Sequence, residues 1–254
     1  MRGKKKFFLS LAAFVIIIVI CSVLLSVTGG YAVYTANTNK RKLPIYGVER
    51  EDNAISISFD CAWGADYTEK ILDTLDFYNV KATFFVVEFW AEKYPEVLKK
   101  IVDKGHEVGT HSKTHPKMSK LSQNQIETEL KSSVEAIEKI TGKKVTLFRP
   151  PFGDYDDELI ETAEKLGLKT IQWSVDSLDW KDLSAEQIAV RVIGKTKPGS
   201  IILMHNNGLH TLDSLPLIFT DLQRKEFVFR PIGELIYTKD YVIAPDGTQR
   251  KINN

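Results

Sequence analysis

The sequence predicts an α/β protein, a distorted (β/α) barrel of about seven parallel strands behind an N-terminal transmembrane helix. Three observations predict it: an uncharged apolar run at residues 7–27, short β-rich runs that alternate with amphipathic segments from about residue 49, and polar residues directly after several strands. Strands alternating with helices favour a parallel sheet. In barrels of this kind the chemistry lies at the C-terminal ends of the strands.

The N-terminus is predicted to anchor the chain in a membrane. Residues 1–6 form a basic segment, and the run 7–27 that follows is long enough to cross a bilayer core. Positive charge before the span predicts a cytoplasmic N-terminus and a single-pass protein of the cell membrane, with its C-terminal domain outside the cytoplasm. A cleaved signal peptide, which would make the domain secreted, is the competing interpretation. The length of the run and the lack of a clear small-residue cleavage site favour the anchor.

Composition divides the rest of the chain and excludes some partners. Residues 28–48 read as a polar linker, 49–240 as the globular domain and 241–254 as a C-terminal tail. With 26% charged residues and a formal net charge of +1, the chain has no strong field for a polyanion, so no nucleic-acid partner is expected. No feature indicates a protein partner. Cys21 lies in the apolar run and Cys61 in the domain, so the domain has no disulfide pair.

The strands and helices follow from apolar periodicity and turn residues. Two of the strand runs are apolar on both faces, as expected of parallel strands covered by helices. Strands are predicted at Ala54–Phe59, Ala82–Val87, His106–Gly109, Val145–Phe148, Lys169–Ser174, Ser200–Met204 and Phe227–Phe229. Helices are predicted near Tyr67–Tyr78, Pro95–Lys104, Ser122–Ile140, Asp156–Leu166, Ala185–Lys195 and Thr211–Lys225, with a capping box at Ser122 and Gln125.

Polar residues follow five of these strands, on the side where a barrel carries its chemistry. Each has an ordinary structural explanation alone, but five such explanations at equivalent positions are improbable together. The residues are Asp60, His111 with His115, Arg149, Asp176 and His205.

The two histidines at 111 and 115 are spaced for one cation. A helical turn would place side chains at i and i+4 on one face, where two neutral imidazoles can bind a divalent metal. The pair alone is more typical of a polar helix face. Together with the other strand-end residues, it predicts a metal site.

This residue set suits metal-assisted hydrolysis. A metal polarises an acyl oxygen and lowers the pKa of bound water, a carboxylate takes the proton as water attacks, and a protonated imidazole gives one to the leaving group. An arginine would keep the base carboxylate ionised. Trp180 and Leu203 would supply apolar walls, and the indole could stack on a sugar face.

The segments resemble, in order, the motifs of the NodB-homology polysaccharide deacetylases, carbohydrate esterase family 4. The resemblance spans about Ala54 to Thr238 and rests on Ser58–Asp60, His111–Pro116, Arg149–Gly153, Asp176–Trp180 and Leu203–His205. It implies a distorted (β/α) barrel, a divalent metal (zinc first, with cobalt or nickel as alternatives) and an N-acetylated cell-wall glycan as substrate.

The resemblance also implies individual roles. Asp60 matches the general base, Arg149 the residue that orients it, and His111 and His115 the metal ligands. Asp176 matches the partner of the catalytic-acid histidine, His205. Further matches form the substrate pocket: the backbone N–H of Phe152 for the oxyanion, and Leu203 with Trp180 for the acetyl methyl group. Asp179 belongs to the fourth motif, but the resemblance gives it no role.

Cys61 stands where the family usually has a second aspartate that binds the metal. Three outcomes are open: a Cys61 thiolate binds zinc in a softer site, the two histidines hold the metal with water alone, or the domain has lost efficient catalysis and only binds glycan. The variant motif Phe59–Gly64, with an anchor and a short tail, resembles a sporulation-associated subgroup that acts on peptidoglycan of the spore wall.

The sequence thus predicts a metal-dependent hydrolase that removes N-acetyl groups from cell-wall glycan, spore cortex included. The alternative is a catalytically impaired protein on the same fold that binds glycan or has a structural role in the wall. A weaker alternative is removal of another acyl group through the same site.

Overall fold

The computed structural model describes residues 41–252. The predicted basic segment 1–6, the membrane segment 7–27 and most of the linker 28–48 lie outside the described residues. Within the described range, no helix combines the length and apolar character needed to cross a membrane.

Seven parallel strands form the main sheet, in the order β6-β5-β4-β3-β2-β8-β7. The parallel α/β prediction is therefore confirmed. The strands of the described chain are β1 Gly47–Val48, β2 Ala54–Cys61, β3 Thr83–Val86, β4 Glu107–Thr110, β5 Leu147–Phe148, β6 Lys169–Thr170, β7 Val175–Asp176, β8 Ile201–His205, β9 Val228–Phe229, β10 Tyr241–Ile243 and β11 Thr248–Lys251.

The sheet is a curled half-barrel rather than a closed barrel. It starts at β6 and ends at β7. Ile45 forms a bridge with Ile171 just beyond β6, and Gly47 forms one with Ser200 just before β8. The chain segment before β2 thus contacts both sides of the opening.

Helices connect and cover the strands: α1 Thr68–Phe77, α2 Glu88–Lys93, α3 Pro95–Asp103, α4 Gln123–Thr141, α5 Asp157–Lys165, α6 Ala185–Lys195, α7 Thr211–Arg224 and α8 Ile232–Leu235. The predicted capping box is present at the start of α4, where Gln125 accepts the N–H of Ser122 at 2.9 Å. Gly142, at a φ of 65°, ends the same helix in the left-handed conformation that glycine tolerates.

The central strand β2 is buried along its whole length. Helices pack on one face of a parallel sheet and the barrel interior fills the other, so side chains of both faces are excluded from water. The rings of Phe59 and Phe84 stack across β2 and β3 with centroids 5.1 Å apart. This packing fixes the strand end that carries Asp60.

The domain extends beyond the bounds that the sequence predicts. Gly47–Val48, placed in the linker, pair in parallel with Thr248–Gln249, placed in the tail. Tyr241–Ile243 pair antiparallel with the same strand, which completes a three-stranded sheet. The turn at Pro245–Gly247 between β10 and β11 has a recognisable turn composition, but its two strands are too short to stand out as a pattern.

Candidate active site

The strand-end residues surround one cavity of about 750 Å³. Arg149 lies buried behind it, and Cys61 faces elsewhere. The other predicted site residues line it: Asp60, His111, His115, Phe152, Asp176, Trp180, Leu203 and His205. Trp63, Trp173, Asn207 and Leu209 also line the cavity. Sequence reasoning missed these four: the two tryptophans and Asn207 could have been suspected as aromatic or amide residues next to strand-end motifs, whereas Leu209 had no such signal.

Asp60 is held by a fully buried arginine. Nη1 of Arg149 donates to Oδ1 of Asp60 at 2.8 Å, and Nη2 donates to the Gln172 carbonyl at 3.1 Å. The guanidinium lies over the Phe85 ring, 4.2 Å from its centroid. Burial, the largest single effect, raises the pKa of Asp60, but the charges of Arg149, His111 and His205 and the hydrogen bond from Arg149 together lower that pKa below its usual value. Asp60 is therefore ionised at neutral pH and available as a proton acceptor.

The predicted helical turn at His111–His115 is wrong. The segment is a loop after β4, in which Ser112 (φ 74°) and His115 (φ 59°) adopt the left-handed conformation. Oγ of Ser112 accepts the N–H of His115 at 3.0 Å, which closes the turn. The two imidazole centroids are nevertheless 4.9 Å apart. The loop therefore brings the two rings as close together as the helical turn was expected to.

A carboxylate from α4 stabilises this loop. Oε2 of Glu129 accepts the N–H groups of Lys113 and Thr114 at 2.9 and 2.8 Å, and Oε1 accepts the Thr114 hydroxyl at 2.7 Å. Charge-assisted bonds to backbone N–H groups are stronger than neutral ones. They compensate part of the strain of two left-handed residues, each of which costs on the order of 1 kcal/mol.

The histidine pair has the chemistry of metal ligands. Nδ1 of His111 bonds the Arg149 carbonyl at 2.7 Å, so Nδ1 carries the proton and Nε2 presents a lone pair. Nε2 lies 3.5 Å from Oδ2 of Asp60, a second lone-pair donor that faces the same space. Burial lowers the pKa of His111 to about 4 and also lowers that of His115, which keeps both rings neutral. Two neutral imidazoles beside a carboxylate fit a divalent cation.

A third protein ligand is not in place. Among residues 41–252, no group of three or more His, Cys, Asp or Glu side chains is arranged to hold a metal ion. Cys61 follows Asp60 along β2, and successive strand residues face opposite sides. Its thiol packs in the hydrophobic core, 3.8 Å from the Phe59 carbonyl.

Burial, with a smaller contribution from the charge of Asp60, raises the pKa of the Cys61 thiol well above its usual value. The suggestion that Cys61 supplies a thiolate ligand is therefore not supported by the structure. An inert core cysteine agrees with its position.

His205 pairs with Asp179, not with the predicted Asp176. Oδ1 of Asp179 accepts Nδ1–H of His205 at 2.7 Å, and Oδ2 accepts the His205 backbone N–H at 2.8 Å and the Thr211 hydroxyl at 2.6 Å. Asp176 instead accepts the N–H of Leu178 at 2.9 Å. Burial, the largest single effect, lowers the pKa of His205, but the hydrogen bond and charge of Asp179, with the charges of Asp60 and Asp176, together raise that pKa above its usual value. These carboxylates thus favour the imidazolium form, which can act as an acid.

Apolar side chains border the reacting groups. Leu203 is buried in the wall of the cavity, and Trp180 stands at its mouth, 56% exposed. Phe152 lines the cavity and adopts a left-handed φ of 60°, and its ring lies 4.6 Å from that of His115. This arrangement agrees with a small acyl group entering between a buried leucine and exposed aromatic rings.

Comparisons with known proteins identify the fold. Residues 47–171 match the family model described as polysaccharide deacetylase. A peptidoglycan-N-acetylglucosamine deacetylase of Bacillus cereus is 34% identical over 72% of this chain and 68% of its own length. The crystal structure of BA3943 from Bacillus anthracis, a CE4 family pseudoenzyme, superposes with a TM-score of 0.74 at 36% identity, covering 76% of this chain and 68% of that one. A variant of BA3943 is described as having restored enzymatic activity.

The structure of Bacillus subtilis PdaA, a family 4 carbohydrate esterase, superposes with a TM-score of 0.72 at 32% identity, covering 76% of this chain and 84% of that one. The chain belongs to the polysaccharide deacetylase family, the NodB-homology family of carbohydrate esterases.

Proposed function

We propose that this protein removes N-acetyl groups from a peptidoglycan-type cell-wall glycan by metal-assisted hydrolysis. One observation carries the proposal: a carboxylate of lowered pKa, Asp60, and an imidazole of raised pKa, His205, line the same cavity, and each is hydrogen-bonded to a buried partner. Amide hydrolysis needs such a pair, because water must lose a proton and the departing amine must gain one. The names of the relatives, as deacetylases of peptidoglycan, supply the substrate class.

Asp60 acts as the base. Its Oδ1 is occupied by Arg149, so Oδ2 is the oxygen that takes the proton from the attacking water. Arg149 keeps the carboxylate ionised and fixes its plane. The backbone N–H of Phe152, a residue that lines the cavity, would donate to the oxygen that becomes negative when water attacks the acetyl carbon.

His205 acts as the acid. Nδ1 is committed to Asp179 at 2.7 Å, so Nε2 carries the proton that goes to the sugar nitrogen as the C–N bond breaks. Asp179 holds the ring in this tautomer and stabilises its positive charge. Leu203 and Trp180 enclose the methyl group of the acetyl being removed, and exclude water from that side.

His111 and His115 would hold the divalent cation, zinc first and cobalt or nickel as alternatives, with water completing the coordination. When bound, such an ion supplies Lewis-acid polarisation of the acetyl oxygen and a water of lowered pKa. The unprotonated Nε2 of His111 and the lowered pKa of both imidazoles support this proposal, because a histidine binds a metal through a neutral ring.

A membrane anchor at residues 7–27 would place the domain outside the cytoplasm, beside the wall glycan that the proposal requires. The spore wall is the narrower proposal, supported by the variant motif at Phe59–Gly64. The membrane anchor and the spore-wall substrate are both argued from the sequence.

Acetate release from peptidoglycan and from N-acetylglucosamine oligomers tests the proposal. The full chain should release acetate when supplied with zinc, cobalt or nickel, lose that activity in a chelator, and lose it in the Asp60→Asn variant. Release that is unaffected by Asp60→Asn would reject the assigned base.

The second candidate is a glycan-binding protein without turnover, favoured by Cys61 at the position of a family ligand and by the similarity to the pseudoenzyme BA3943. It predicts that the wild-type chain binds wall glycan but releases no acetate with any of the three metals. Calorimetric titration of the same oligomers, run beside the acetate assay, separates the two candidates.

A further inference from the structure

Several exposed apolar side chains of this protein lie together at the active-site cavity. Ten large apolar residues are exposed within the described range, and four of them line the active-site cavity: Trp63, Phe152, Trp180 and Leu209. Phe152 and Trp180 already have roles at the reacting centre, whereas Trp63 and Leu209 do not, and Trp63 is the aromatic one of these two. Its indole is 63% exposed, although a ring of this size normally buries most of its surface.

Trp63 belongs to a row of rings along the wall beside His115. Its centroid lies 5.2 Å from that of Phe89 and 5.9 Å from that of His115, which meets it edge-on. His115 in turn lies 4.6 Å from Phe152. The row therefore runs past the cation-binding side of the reacting centre, with an exposed aromatic residue on each side of His115.

The turn that carries Trp63 is fixed by its neighbours. The carbonyl of Gly64 accepts Nε1–H of Trp90 at 2.6 Å and Nδ2–H of Asn206 at 2.9 Å. Gly64 itself has a left-handed φ of 61°, which glycine adopts without strain. A preorganised aromatic residue loses little conformational entropy when it binds a ligand. The hydrogen-bonded turn therefore holds Trp63 in its exposed position at the cavity mouth.

A sugar ring is the ligand that this surface fits. A pyranose offers one face of C–H groups, which pack on an aromatic ring, and hydroxyl groups at its edge. Asp182 and Asn207, which also line the cavity, provide hydrogen-bonding groups for such hydroxyls. A cavity of about 750 Å³ is larger than one acetamido sugar requires and has room for its neighbours.

We propose that Trp63 forms an outer sugar-binding subsite, which holds the neighbouring saccharide of a glycan chain while Trp180 contacts the sugar being deacetylated. The Trp63 ring contacts that of His115, and Trp180 directly follows Asp179, the residue that bonds His205. The two indoles therefore lie on either side of the reacting centre. The protein therefore selects sugars within a chain over free monosaccharides. The inference deepens the proposed function and rests on it for the identity of the substrate.

Calorimetric titration with N-acetylglucosamine and its oligomers, from the monomer to the pentamer, tests the subsite without requiring turnover. The titrations use full-length protein carrying Asp60→Asn, so that the oligomers stay intact. Affinity should rise with oligomer length. Trp63→Ala should weaken pentamer binding about 10-fold and abolish the length dependence, whereas Trp63→Phe, which keeps an aromatic face, should retain most of it.

Phe77→Ala is the matched control, because Phe77 is 82% exposed on α1 and does not line the cavity. Equal affinities of the Trp63→Ala and Phe77→Ala proteins at every length would overturn the subsite, as would the absence of binding to all the oligomers. Length-dependent binding through Trp63 without acetate release by the wild-type chain would keep the subsite and reject the proposed function.

Discussion

Replacing Asp179 by asparagine should disable the acid while preserving the shape of the site. Oδ2 of Asp179 accepts two donors, the His205 backbone N–H and the Thr211 hydroxyl, so the amide oxygen of the variant must take that place. Its NH₂ group then faces Nδ1 of His205, where the carboxylate now accepts at 2.7 Å. An imidazolium would oppose N–H to N–H there, so the ring stays neutral and loses its acidic form.

The expected loss follows from the contribution of general-acid catalysis, which is typically 10²–10⁴-fold. We expect kcat/KM for acetate release to fall about 10³-fold. Asp179 raises the pKa of His205, and the acid form exists below that pKa, so the alkaline limb of the pH profile should move to lower pH in the variant. A thermal melt followed by circular dichroism checks that the fold persists.

Asp176→Asn is the matched comparison. Asp176 lies in the same cavity, but its carboxylate accepts the Leu178 N–H rather than bonding His205. Its charge raises the pKa of His205 less than Asp179 does, so the alkaline limb should move in the same direction by a smaller amount. An Asp176→Asn variant with the larger loss, or an Asp179→Asn variant with an unmoved alkaline limb, would refute this assignment of the acid.

Three further substitutions test the other parts of the site. Arg149→Met should destabilise the protein by about 3–5 kcal/mol at neutral pH in urea unfolding, because it leaves the Asp60 carboxylate buried without its partner; the loss should shrink at acid pH, where Asp60 is protonated. Cys61→Ala should cost about 1 kcal/mol of stability for one lost core atom but leave zinc affinity by calorimetry unchanged, whereas a weakened affinity would restore Cys61 as a ligand. Glu129→Ala should weaken zinc binding about 10-fold with little change in helix content, because it releases the loop that carries His115.

The central strands and the strand ends could be predicted from the sequence. β2, β3 and β8 are short and buried almost throughout. Such continuous runs are typical of parallel strands that are covered on both faces. Once the strands are known to be parallel, the residues after them must meet at one end of the sheet. For that reason Asp60, His111 and His205 were correctly brought to one cavity by sequence reasoning alone.

The local geometry of the site depends on contacts that no short-range pattern encodes. The left-handed Ser112 and His115 are stabilised by Glu129, which reaches the loop from α4. Two carboxylates lie near His205, and the one that bonds it, Asp179, follows a left-handed residue, Leu178. Neither effect has a signature in residue type or spacing.

The same limit applies to the edges of the domain. Val48 pairs with Gln249 across almost the whole described chain, and both strands are too short for periodicity to reveal. Pairing of segments so distant in sequence is decided by the finished fold. For this reason the sequence analysis assigns Val48 to a linker and Gln249 to a tail, although the two residues pair in one small sheet.

The most direct test of the account is mass spectrometry of muropeptides from peptidoglycan incubated with the full chain and zinc, cobalt or nickel. The account predicts muropeptides that have lost acetyl groups from their sugars, and fully acetylated muropeptides after incubation with the Asp60→Asn variant. Fully acetylated muropeptides after incubation of the wild-type chain with each of the three metals would contradict it.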